Sequence, residues 1–397
     1  MISLNNVRAW EEINVDNFRY NVKNIKKHIR NTKLMAVIKA DAYGHGVVDI
    51  AEILETEDVD YLAVACIEEA KQLRVNGVSL PILILGTTSP ECVCDLFKYD
   101  IIPTVFEKTL PCAISEYAKK TGGTLPVHIK TDTGMGRVGF QCYDRGDNSF
   151  LDDILEISKL PGIEIEGIFT HFSVADEETG VVETEKQFDN FMYICETLTE
   201  NGINIPIKHC ANSAAISLYP KMHLDMVRAG IIMYGEYPSE YTKNNTELKI
   251  KPVKSLKAMI SQVKTVPKGR GISYGQHYKA KEDGEKLAVV CIGYGDNYSR
   301  LLSGKVSVLI NGQLAPQVGN ICMDQMVVDI SGIDDVKFGD VAVLVGQSGD
   351  KSISYSDIAG ILGTINYEIM CDVGKRLTKA YFEGGKCVKR INYLDKL

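Results

Sequence analysis

The chain has 397 residues, 45% of them hydrophobic and 24% charged, with a formal net charge of −8. Such a length allows two domains with sizeable cores. The acidic balance argues against a nucleic-acid or anionic-membrane partner, and without an apolar run of about 18 residues no membrane-spanning helix is expected.

The first residues, "MISLNNVRAWEEINVDNF", carry neither a basic stretch nor an apolar core, so no signal peptide is expected. Eleven cysteines are scattered without metal spacing, and the closest pair, Cys92 and Cys94, is C-x-C. Reduced thiols, a cytoplasmic location and no bound metal follow as expectations.

Short apolar runs then recur at 34–38 (LMAVI), 61–66 (YLAVAC), 81–86 (PILILG) and 101–105 (IIPTV). Four more fall at 125–130 (LPVHIK), 164–170 (EIEGIFT), 205–210 (IPIKHC) and 224–228 (LDMVR). Amphipathic segments of helical length, such as "VVDIAEILETED", separate most of them. Strands alternating with helices imply a parallel sheet. Eight units in this span predict an α/β fold with an N-terminal (β/α)8 TIM-type barrel. An open doubly wound sheet is the alternative, weakened because no G-x-G-x-x-G follows the first strand.

In such barrels chemistry gathers where strands end. Lys39 follows the first strand, and Lys130 ends the fifth, ahead of a glycine-rich loop with Arg137. His171 follows the sixth, Asn212 and Ser213 the seventh, and Arg228 ends the eighth. Each alone has a structural reading, since a lone histidine at a strand end is more often a hydrogen-bonded core residue. Together they crowd cations around one barrel mouth, which is costly to desolvate without an anionic ligand. Backbone N–H groups at Gly230 and Ile231, with the Ser213 hydroxyl, can cradle a phosphate. A lysine facing such a cradle is what a Schiff base with pyridoxal phosphate requires.

Beyond about residue 242 helical periodicity fades, and short alternating strands take over, as in "EKLAVVCIGYGD" and "GKVSVLINGQLAPQVGN". Residues 1–242 are therefore read as the barrel domain and 243–397 as a mostly-β domain, with roughly the first 12 residues able to pair with the latter.

The motifs "AVIKADAYGHG", "KTDTGMGRVGF", "THFSVADE", "HCANSAA", "VRAGIIMYG", "SYGQHY", "GNICMDQ" and "NYE" occur in this order across both domains. In them the chain resembles the alanine racemases, fold-type III pyridoxal-phosphate enzymes. The resemblance implies a racemase that interconverts L- and D-alanine and supplies D-alanine for cell-wall peptidoglycan. It implies that Lys39 holds the cofactor and acts as one base, with Tyr274 as the other on the opposite face. Tyr43, Ser213, Gly230, Ile231 and Tyr367 would hold the phosphate, with Asn212 beside them, and Arg228 would meet the pyridine nitrogen. Arg137 would bind the substrate carboxylate, oriented by Lys130, often a carbamate in this family. His171 would link Tyr274 to Arg228, and Met323 and Asp324 would lie near the substrate. Tyr274 and Met323 would come from the partner of a homodimer with shared active sites.

Some positions depart from the family pattern. Asn320 replaces a common arginine of the outer substrate passage, although Asp176 and Arg300 of that passage are kept. His277 replaces a small residue, and "GKRLTKAY" stands where "RVPR" is usual. Serine or a broader substrate set is therefore an alternative. A fold-type III decarboxylase and a non-catalytic pyridoxal-phosphate-binding protein are remoter ones. Arg228 and the "SYG" tyrosine disfavour the first, and the C-terminal β region disfavours the second.

Overall fold

The computed structural model describes residues 7–396. The described residues divide into two compact units, one of residues 19–233 and 237–250, the other of residues 7–18, 234–236 and 251–396. The first strand, β1 (Ala9–Asn14), belongs to the second unit.

The first unit is a ring of parallel strands. It contains β2 (Lys33–Val37), β3 (Tyr61–Val64), β4 (Ile82–Ile84), β5 (Thr104–Val105), β6 (Leu125–Asp132), β8 (Ile163–Phe169), β9 (Ile207–His209) and β10 (Met226–Ala229). A short β7 (Phe140–Gln141) flanks β6. Pairing runs β10-β2-β3-β4 and β5-β6-β8-β9. Two junctions close the ring. Ile102, just before β5, exchanges backbone bonds with Ile82 and Ile84 of β4, and Arg228 N–H donates to the Ala211 carbonyl at 3.0 Å. The eight expected strands all appear, with ends shifted by a few residues. Strands buried on both faces read as unbroken apolar runs, and β3 and β4 are buried at every position.

Helices follow most strands. The helix Val15–Ile29 buries Phe18, Val22, Ile25 and Ile29, the four-three-four spacing of one helical stripe. The 20-residue helix Val181–Glu200 turns Gln187 inward, where its amide donates to Ser173 Oγ at 2.6 Å and anchors the loop after β8. Among the described residues no helix is long and apolar enough to cross a membrane.

The second unit is mostly β. Its remaining strands are β11 (Lys254–Val266), β12 (Gly271–Ile272), β13 (Tyr278–Lys279), β14 (Glu285–Val290), β15 (Ser307–Ile310), β16 (Gln313–Val318), β17 (Met326–Asp329), β18 (Val341–Ser348), β19 (Lys351–Ile353), β20 (Thr378–Glu383) and β21 (Lys386–Ile391). The long β11 pairs with both β14 and β18, so β11-β14-β17-β16-β15-β18 closes on itself. Closure removes exposed edges that would otherwise template aggregation. From β11 the sheet continues through β1, β20 and β21. One helix here, Tyr355–Leu362, starts in a capping box between Ser354 and Asp357 and ends at Gly363 with φ +71°.

Candidate active site

Lys39 follows β2 at the mouth of the ring. The residues after it do something a sequence of this kind rarely does. Ala40, Asp41, Ala42 and Tyr43 all have φ of 53–54°, a left-handed turn without a glycine among them. Each such residue costs roughly 1–2 kcal/mol, so the turn persists only because its surroundings hold it. Glu69 supplies much of that hold. Its carboxylate accepts from Ala40 N–H and Ala65 N–H, both at 2.7 Å. Asp41 Oδ1 accepts from Val47 N–H at 2.8 Å and so caps the next helix. The left-handed path puts Tyr43 inside, where it is buried.

Beside this turn, Gly230 follows β10, the strand paired with β2. A Cβ at this position would lie 2.7 Å from the Tyr43 hydroxyl and 3.6 Å from Ser213 Oγ. Two hydroxyls thus converge on a backbone that only glycine leaves open. Gly230 N–H donates to Ser213 Oγ at 3.0 Å, so the Ser213 hydroxyl directs its own proton elsewhere. Asn212 caps the helix that begins at Ser213, its Oδ1 accepting from Ala215 N–H at 3.0 Å. Ile231 is fully buried and opens a short 3-10 turn. The phosphate of pyridoxal phosphate fits this donor set.

Arg228 is buried and charged. Its Nη1 donates to His209 Nδ1 and to the His209 carbonyl, both at 3.0 Å. Its Nη2 donates to the carbonyls of Thr170 at 2.7 Å and Cys210 at 3.0 Å, and lies 3.3 Å from His171 Nδ1. These acceptors are all uncharged, and among the described residues Nε takes no part in the bonds. Burial lowers the guanidinium to about 10, still protonated at neutral pH. Burial, then the cations Arg228, Lys130, Arg137 and Lys39, push His171 well below its ordinary value, so it is neutral.

Lys130 lies in the same interior. Burial first, and Arg228 next, bring its amine down to about 7. It donates to the Thr131 carbonyl at 2.9 Å and sits 5.0 Å from the Phe169 ring centroid. Arg137 is carried on the following loop, which Asp132 shapes by accepting from the N–H groups of Gly134, Gly136 and Arg137 at 2.9–3.1 Å.

The other candidates lie in the second unit. Tyr274 starts a short 3-10 turn and is 73% exposed in the single chain; Met323 is 53% exposed. Their loops are tied together. Ser273 Oγ donates to the Asn320 carbonyl at 2.6 Å, and the Asn320 amide donates to the Tyr274 carbonyl at 2.7 Å. Asn320 thus steadies the loop that bears Tyr274. Asp324 accepts from Arg376 Nη1 at 2.7 Å, and Arg376 reaches on to the fully buried Asp296, which Arg8 also grips. Tyr367 is half-buried on the helix Asn366–Cys371.

A family model described as alanine racemase, N-terminal domain, matches residues 13–238, and one described as alanine racemase, C-terminal domain, matches residues 253–381. The chain belongs to the alanine racemase family. It is 44% identical over 387 residues to the alanine racemase of Clostridium tetani, covering 97% of this chain and 98% of that one. Among solved structures, an alanine racemase of Clostridium difficile 630 superposes with a TM-score of 0.91 at 43% identity, covering 99% of this chain and 100% of that one. A histidine racemase from Leuconostoc mesenteroides subsp. sake shares the fold at TM-score 0.85 and 28% identity, covering 95% and 98%. The family uses pyridoxal phosphate.

Several residues that shape the site were not singled out in the sequence. Glu69 and Asp41 hold the left-handed turn, and His209 and Thr170 hold Arg228. Only His209 carried a signal, because it ends an apolar run directly before "CANSAA".

Proposed function

We propose that this racemase interconverts L-alanine and D-alanine, with pyridoxal phosphate on Lys39 and with Lys39 and Tyr274 as the two bases. The observation that carries the reading is the cradle of Tyr43, Ser213 and Gly230 facing the same barrel mouth as Lys39 and a buried, protonated Arg228.

When bound, the cofactor withdraws electrons from the substrate α-carbon and makes its proton removable. The Tyr43 and Ser213 hydroxyls and the Ile231 N–H would hold its phosphate, joined by the Gly230 N–H where it leaves Ser213 Oγ, with Asn212 fixing the start of the Ser213 helix; the family resemblance adds the Tyr367 hydroxyl. The Nε–H of Arg228 is the donor we assign to the pyridine nitrogen. A guanidinium with a pKa near 10 does not readily give up that proton, so Arg228 would leave the pyridine nitrogen unprotonated. Racemisation must take a proton from one face and return one to the other, which needs two groups on opposite faces. His171 carries its proton on Nε2 because its Nδ1 faces Arg228, and that donor would orient the Tyr274 oxygen. Arg137 would pair with the substrate carboxylate, with Met323 and Asp324 alongside.

The exposure of Tyr274 and Met323 supports a homodimer in which each chain lends these residues to its partner's site. All eleven cysteines are free thiols, which fits a cytoplasmic location.

An amine with a pKa near 7 is half unprotonated at neutral pH, the form that adds carbon dioxide. A carbamate on Lys130 would place a negative charge among Arg228, Arg137 and Lys39. Carbon-13 NMR in labelled bicarbonate should show a carbamate carbonyl that Lys130→Ala removes. Its occupancy should fall as the pH drops below 7, because the amine is then protonated. A signal that survives in the variant would place the carbamate elsewhere.

The activity itself is tested by incubating the protein with a panel of L-amino acids and separating the products by chiral chromatography. D-alanine should form fastest. Serine should trail by no more than about 10², since one hydroxyl is weakly discriminated in such a pocket. Lysine, arginine or histidine turning over faster than alanine would refute the assignment.

A further inference from the structure

Behind Arg228 lies a row of side chains that the proposed chemistry does not use. His209 Nε2 is 2.9 Å from His128 Nδ1. His128 Nε2 is 3.1 Å from Glu166 Oε2, and the Tyr61 hydroxyl donates to Glu166 Oε1 at 3.0 Å. The two ends of the row fix its direction. A guanidinium can only donate, and a carboxylate can only accept. His209 must therefore accept at Nδ1 and carry its proton on Nε2. His128 must then accept at Nδ1 and carry its own proton on Nε2, facing Glu166.

The backbone is built for this row. Along β6 and β8 the register runs Val127 opposite Ile165 and then His128 opposite Gly167, so Glu166 is the extra residue of a β-bulge. Bulges re-aim a side chain, and this one turns a carboxylate onto His128. A Cβ at Gly167 would lie 2.4 Å from His128 ring atoms, so the ring lies directly on the glycine backbone. The His209 ring stacks on Phe169 with centroids 4.8 Å apart and planes 13° apart. Burial lowers the pKa of both histidines, consistent with neutral rings, and the His128 bond lowers the Glu166 carboxyl.

We propose that Glu166 and His128 are positioning residues for Arg228: through two imidazoles locked in the Nε2–H form, they present the His209 Nδ1 lone pair that orients the guanidinium. The row also supplies Arg228 with a counter-charge two rings away. A buried cation needs such compensation, and here it comes without a carboxylate touching the guanidinium. The consequence for catalysis rests on the reading of Arg228 as the partner of the pyridine nitrogen; the row does not.

The test uses protein labelled with nitrogen-15 at histidine. Ring-nitrogen shifts in the unaltered protein should report His128 and His209 both neutral and protonated at Nε2. Glu166→Leu should free His128 into a mixture of forms and lower kcat on the order of tenfold, the usual size of an outer-partner loss, with KM for alanine nearly unchanged. Glu166→Gln keeps an amide oxygen to accept from His128 and should restore both the ring forms and most of kcat. A proton on His209 Nδ1 in the unaltered protein would overturn the proposal. So would a Glu166→Leu variant with normal kcat, or a Glu166→Gln variant as slow as Glu166→Leu with its ring forms intact. Absence of racemisation in the unaltered protein would sink the activity reading alone, because the ring forms are read without substrate.

Discussion

Tyr274→Phe should cut racemisation in both directions by about 10² to 10⁴, the usual cost of losing a general base. The substitution removes one oxygen and keeps the ring, so the loop held by Ser273 and Asn320 through backbone carbonyls should keep its shape. The phosphate cradle at Tyr43, Ser213 and Gly230 is built from other residues, so the cofactor's visible absorbance should persist. Both directions should suffer, because each needs one group to take the proton and the other to return one. Near-normal turnover by a fully loaded variant would show that a single base suffices and that Tyr274 has another role.

Lys39→Ala should have the larger effect. It removes the amine that would anchor the cofactor and also the second base, so the purified variant should be colourless after dialysis and inactive. Mixing it with Tyr274→Phe then tests the shared site. If subunits exchange randomly at equal ratio, half of the dimers are hybrids. In each hybrid one site carries both lesions and the other carries none, so about a quarter of the activity per site should return. No recovery, with hybrids demonstrated, would mean that each chain builds its own site.

The barrel strands were legible because they are buried on both faces and leave unbroken apolar runs between helical segments. The β unit was legible as a change of texture, though not as a closed ring, because β11 pairs with β18 some 80 residues away. The residues gathered at the barrel mouth stood out because their charges ended apolar runs. What supports them did not. Nothing in "ADAY" announces a left-handed turn, since no residue in it favours positive φ strongly and Glu69 lies far along the chain. The bulge at Glu166 was equally hidden. Its sequence reads as ordinary strand alternation, and only pairing with β6 reveals the extra residue. Asn320 looked like a loss at the substrate passage, yet it holds the Tyr274 carbonyl.

The central claim, two bases on opposite faces, is tested most directly by racemising L-alanine in D₂O and measuring the isotope at the α-carbon early in the reaction. The account predicts that the D-alanine formed carries deuterium, because the proton returned by Lys39 comes from solvent rather than from Tyr274. Tyr274→Phe should still exchange the α-proton of D-alanine while returning mainly D-alanine, and should exchange L-alanine much more slowly. D-alanine that retains the original protium, or a variant that exchanges both enantiomers equally, would contradict it.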